Sequence, residues 1–144
     1  MPCSTDIYPA YQLIWSRFIG VVTLDQITDA NQKLRAETEF DPRFLCINDF
    51  RDHLDDPVSF QDMMSLTNEM KTFRHRIGVP LRIGFIAPSD VSFGTARMFA
   101  TLMSDLDGAT IAVERSVDAL AAALALDADT TTLLKGDDKI TSRE

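Results

Sequence analysis

The sequence predicts an α/β fold in which a mixed, mostly parallel sheet of five strands is flanked by about four helices. Three observations carry that expectation. Apolar runs of strand length alternate along the chain with stretches whose apolar residues recur at intervals of three and four. The connections between them are short and marked by Pro, Gly and Asp. The stretch from Leu81 to Leu106 then shows strand, turn and helix in immediate succession. Its first part, Leu81 to Ala87, is an apolar run between Pro80 and Pro88, and from Val91 onward Met98, Phe99, Leu102, Met103 and Leu106 line one helical face. Strands and helices alternating through short links imply parallel crossovers, with a first hairpin adding an antiparallel edge.

Taken in order, Thr5 to Tyr8 reads as a short first strand, interrupted by Pro9 before a longer one from Gln12 to Val22. The second strand is apolar on both parities, Leu13, Trp15, Ile19 and Val21 on one and Ile14, Phe18 and Val22 on the other, so both of its faces are expected to be covered. Trp15 reads as a core residue. Thr23 and Gln26 have the spacing of a capping box, with Val22 and Ile27 as the hydrophobic staple, which starts a helix of about four turns at Leu24. Phe44 to Phe50 is the next strand. The same device recurs at Val58, Ser59, Asp62 and Met63, and the helix it opens stops at Gly78. After the Leu81 to Leu106 unit, Ala109 to Val113 forms a last strand and Ser116 caps a helix over 117–126. Residues 1–126 thus make one domain, and 127–144 read as a polar tail, frayed helix giving way to disorder.

With 144 residues, 45% of them hydrophobic and 25% charged, the chain suits a single globular core. A net charge of −8 sets it against nucleic acid as a partner. No segment approaches the roughly 20 apolar residues of a membrane span, and the first residues lack the features of an export signal. Cys3 and Cys46 share neither metal spacing nor environment, which suggests reduced thiols and a cytoplasmic location.

Candidate chemistry is sparse. Asp49, Asp52, Asp55 and Asp56 surround His53 beyond a strand, yet their spacing fits no metal motif, and Arg51 stands where a phosphoryl-transfer hydrolase would need its second aspartate. Ser89, Asp90 and Gly94 place a hydroxyl, a carboxylate and a glycine at a helix start, without the lysine of a phosphate loop; capping explains the first two, and Gly94 is expected to permit close helix packing. Lys71, Arg74 and Arg76 form a basic patch that suits either an acidic partner or a helix dipole. Phe60, Met63, Met64, Phe93 and Phe99 could line an adaptable apolar pocket, although such residues are more often core. No nucleophile motif, metal set or cofactor motif emerges, so no cofactor is expected.

Three runs, LIWSRFIGVVTLDQI, FDPRFLCINDFRD and IAPSDVSFGTARMFATL, resemble the SpoIIAA-like family, small bacterial proteins related to STAS domains and to anti-sigma-factor antagonists. The similarity spans residues 5 to 126. It implies a STAS-like sheet with helices, no enzymatic activity, and action through a protein partner or, as in the similar lipid-carrier fold, on an apolar molecule. In the antagonists a serine of an Asp-Ser pair near the start of the corresponding helix is phosphorylated. Ser59 lies near that place, but Asp56-Pro57-Val58-Ser59 departs from the pattern. The expectation is therefore a non-enzymatic cytoplasmic module acting through protein contacts. The alternative is a carrier or sensor of a small apolar, lipid-like ligand, peripheral membrane association included. Homodimerisation stays open.

Overall fold

The computed structural model describes residues 3–53 and 59–136. Its elements run β1 (Cys3–Tyr8), β2 (Leu13–Gly20), α1 (Leu24–Ala36), β3 (Leu45–His53), α2 (Phe60–Ile77), β4 (Arg82–Ile86), α3 (Asp90–Leu102), β5 (Thr110–Glu114), α4 (Val117–Leu124) and α5 (Ala128–Lys135). The strands lie side by side in chain order, β1 antiparallel to β2 and the remaining neighbours parallel, so the sheet is mixed. Because each crossover steps in the same direction with the same hand, α1, α2 and α3 fall on one face. That face packs Met63, Leu66, Ile83, Phe85, Ala96 and Phe99 into one core. The other face is covered by α4 and α5, whose Val117, Leu120 and Leu134 pack with Leu13, Trp15 and Ile47.

Local sequence explains the helix starts. Thr23 Oγ1 accepts from the Gln26 backbone N–H at 3.2 Å while Gln26 Oε1 accepts from the Thr23 N–H at 2.9 Å, the reciprocal pair of a capping box. Ser59, Ser89 and Ser116 cap α2, α3 and α4 in the same way, each hydroxyl accepting from the N–H three residues on. Gly78 ends α2 at φ 70°, a left-handed conformation that glycine adopts without a Cβ clash. The second staple involves Val58, and Asp55 and Asp56 belong to the acidic stretch; all three lie outside the described residues.

Four expectations need correction. Among the described residues five α-helices flank the sheet, because residues 128–135 form α5 and are not a tail. Asp127 caps it by accepting from the Thr130 N–H at 2.7 Å, and Thr130 and Leu134, four apart, turn inward. The expected disorder at 137–144 lies outside the described residues. In β2 the register shifts between Arg17 and Ile19, and beyond it Ile19 and Val21 are 46% and 51% exposed, so the two-sided covering stops at Phe18. Asp49, Asp52 and His53 belong to β3, which continues past Phe50, and are not in a loop.

The fourth correction concerns Gly94. A Cβ there would meet nothing within 4 Å, so it permits no close packing. Close approach occurs instead at Gly84, where a Cβ would come within 2.9 Å of Leu124 and 3.1 Å of Leu120; the missing side chain lets α4 sit down on β4. Gly94→Ala is therefore expected to stabilise the protein by about 1 kcal/mol through helix propensity alone, read as a higher urea midpoint. A lower midpoint would mean that Gly94 has a packing role.

Candidate functional site

Three phenylalanines, one near the carboxyl end of each of β2, β3 and β4, lie on the α1 to α3 face. Phe18 and Phe50 have ring centroids 4.9 Å apart, Phe50 and Phe85 are 5.8 Å apart, and Phe85 meets Phe99 of α3 edge-on at 5.3 Å. Above this aromatic floor lies a cavity of about 80 Å³, walled by Ile27 of α1, Met63 of α2 and Ala96 of α3 among others. It occupies the end of the sheet where open α/β folds take their ligands. Its lining is mostly apolar, with Asn31, Asn48, His53, Ser92 and Thr95 interspersed. Helix α1 closes it without a single fully buried residue of its own, which makes it the least firmly packed wall.

A second cavity of about 50 Å³ adjoins the first, and Asn31, Asn48 and Met70 line both. Its further wall brings together Cys46, Phe73, Arg35 and Arg74. Arg35 is held by Glu69 through two hydrogen bonds of 2.7 and 3.3 Å and lies 3.8 Å over the Phe73 ring. Arg74 is 6% exposed, donates from Nη1 to the Pro42 carbonyl at 2.6 Å, and has its pKa lowered by burial. Burial pushes the Cys46 thiol pKa up, which leaves it a neutral packing residue.

The residues singled out from sequence divide between several places. Met63 and Phe99 line the main cavity, whereas Met64 does not, Phe60 is 60% exposed, and Phe93 lies under the Arg115 guanidinium at 4.4 Å. Phe60 falls on the inward stripe of α2, but it is the first helical residue and remains largely uncovered. Lys71, Arg74 and Arg76 line one open groove together with His75, although their side chains are engaged differently. Lys71 reaches across to the Leu102 carbonyl and Asp105, Arg74 turns inward, and Arg76 is exposed. Asp49 is buried on the opposite face of the sheet from the cavity, and Asp90 is an exposed partner of Arg115. Ser89 and Ser59 are helix caps. Among the described residues no three His, Cys, Asp or Glu side chains are placed to hold a metal ion, and no helix is long and apolar enough to cross a membrane.

Sequence reasoning missed the aromatic floor and the paired asparagines, and it left open whether Phe73 or Arg74 turns inward; the structure turns Arg74 inward. The available signals were a phenylalanine within three residues of the end of each central strand, and the position of Arg74 four residues beyond Met70 on the inward stripe. Comparisons of the chain with family models, with curated proteins and with solved structures give no significant match.

Proposed function

We propose that this protein is a non-enzymatic binding module of SpoIIAA-like, STAS-like type whose ligand is a small apolar molecule held between the sheet and α1 to α3. The observation that carries this reading is the cavity over Phe18, Phe50 and Phe85, enclosed by helices yet bounded on one side by the loosely packed α1. At about 80 Å³ it is of the order of half the size of an engineered apolar cavity that admits benzene, so a small outward shift of α1 is enough to accept a compact apolar group. The catalytic alternative has little support, because the residues around the cavity include no paired acid and base. A bacterial cytoplasmic setting accords with the resemblance and with the two free cysteines.

Native mass spectrometry of freshly purified protein tests the reading. The expected result is a bound organic mass that disappears on denaturation and is absent from Ala96→Met, whose larger side chain enters the cavity from α3. A clean apo mass, together with no response to apolar probes in solution, overturns it.

Protein contact is the second reading, favoured by Ile19, Val21 and Phe60, which are apolar and exposed near the same end of the sheet. Replacing Val21 and Phe60 by serine would then abolish capture of a partner without changing ligand retention.

A further inference from the structure

We infer that the molecule held in the cavity carries a carboxylate and that Arg74 is its counter-charge, an inference that rests on the apolar-ligand reading above. Arg74 is the starting point because its situation is electrostatically unusual. The chain has 22 acidic side chains against 14 lysines and arginines, so acidic partners are abundant. Arg17, Arg35, Arg43, Arg51 and Arg115 each pair with one. Arg74 is buried more deeply than any of them, and among the described residues no carboxylate lies within ion-pair distance of it. A guanidinium has five N–H donors, and the Pro42 carbonyl takes one of them. The neighbouring Cys46 offers no compensating charge, since burial keeps its thiol protonated. Arg74 also lines the open groove with Lys71, His75 and Arg76, so its remaining donors are not sealed from solvent, and an anionic ligand gains a charge-assisted pair with a guanidinium that has no carboxylate of its own.

The geometry supplies the rest of the ligand. Arg74 lines the smaller cavity, and Asn31 and Asn48 stand where that cavity meets the apolar one. Neither asparagine side chain has a hydrogen-bonding partner among the described residues, although Asn48 lies in the middle of β3 on a helix-covered face. Both asparagines are half-buried, which leaves their amides accessible to a ligand at the junction of the two cavities. A carboxylate on Arg74 accepts from the guanidinium in the forked geometry that arginine favours, and takes further N–H donation from the two amides. The aliphatic or aromatic body then runs over Met70 into the space above Phe50 and Phe85. The ligand class is a small monocarboxylic acid with an apolar body.

The experiment compares sodium hexanoate with 1-hexanol by NMR titration of the full chain, following the Asn31 and Asn48 side-chain amides and the Arg74 Nε–H. The expected result is hexanoate binding on the order of tenfold or more tighter than hexanol, with all three signals moving. In Arg74→Met the preference vanishes while hexanol still binds, and in Arg74→Lys part of it survives. Equal affinity of wild type for the two probes, or a preference that persists in Arg74→Met, overturns the charge assignment and leaves the apolar-ligand reading standing. Failure of both probes to bind overturns both. The wild-type comparison decides the question even if Arg74→Met does not fold.

Discussion

Leu134→Ala lowers the stability of this protein by about 2–5 kcal/mol, the loss expected when a fully buried leucine is truncated inside a packed core. Leu134 is 0% exposed and packs with Leu13, Trp15 and Leu120 beneath α5. Thr132, on the exposed side of the same helix, provides the control: Thr132→Ala changes stability by no more than about 0.5 kcal/mol. Truncation after Asp127 removes Leu133 and Leu134 together and uncovers part of the Trp15 face, so its cost equals or exceeds that of the single substitution. Urea unfolding of the three variants measures all of this. A loss below about 1 kcal/mol for both Leu134→Ala and the truncation would separate α5 from the cooperative unit that holds the sheet.

That helix marks the limit of what the chain reveals locally. The starts of α1, α2, α3 and α4 were legible because each cap is a bond between residues three apart, and the pattern at Thr23 and Gln26 carries its own geometry. Helix α5 has a cap too, at Asp127, but its inward pair is a threonine and a leucine set in a run of threonines, which reads as polar. Composition misled where position decided. Strand positions followed the apolar runs, and the burial of Trp15 followed from its place in one; the exposure of Ile19 did not, since a register shift has no signature in the apolar count.

The candidate site was less legible for a physical reason. Phe18, Phe50 and Phe85 are contributed by three strands, and only the parallel register brings their rings into one floor. Of the methionines and phenylalanines of the helices, only Met63, Met70 and Phe99 line the cavity above it. Arg74 sits between Phe73 and His75 in a run that looks like solvated charge at a helix end. Helical period, with Met63, Leu66, Thr67 and Met70 buried or half-buried along the same stripe, directs it inward nonetheless.

Asp49→Leu destabilises the protein by about 3–5 kcal/mol, because it removes the buried carboxylate that Trp15 and Arg51 share. Period-two alternation puts Asp49 on the same face of β3 as Leu45 and Ile47, and its side chain is buried beside Trp15. The carboxylate is fully engaged there. Trp15 donates its Nε1–H to Oδ2 at 3.1 Å, Arg51 donates from Nη2 to Oδ2 at 2.6 Å and from Nε to Oδ1 at 3.0 Å, and the Arg51 backbone N–H donates to Oδ1 at 3.0 Å. Arg17 closes the group by lying 4.7 Å from the Trp15 ring centroid while pairing with Asp6 at 2.8 Å. Leucine fills the space and satisfies none of these donors. The double variant Asp49→Leu/Arg51→Met removes the charge as well as its partner and recovers most of the loss, since an apolar pair of similar volume suits this face. Chemical denaturation of both variants separates the ion pair from simple packing. If the single substitution costs less than about 1 kcal/mol, Arg51 is finding water and the pair belongs with ordinary surface salt bridges. If the double variant is no more stable than the single one, the carboxylate matters chiefly through Trp15 and the β3 backbone, and the coupling between Asp49 and Arg51 is small.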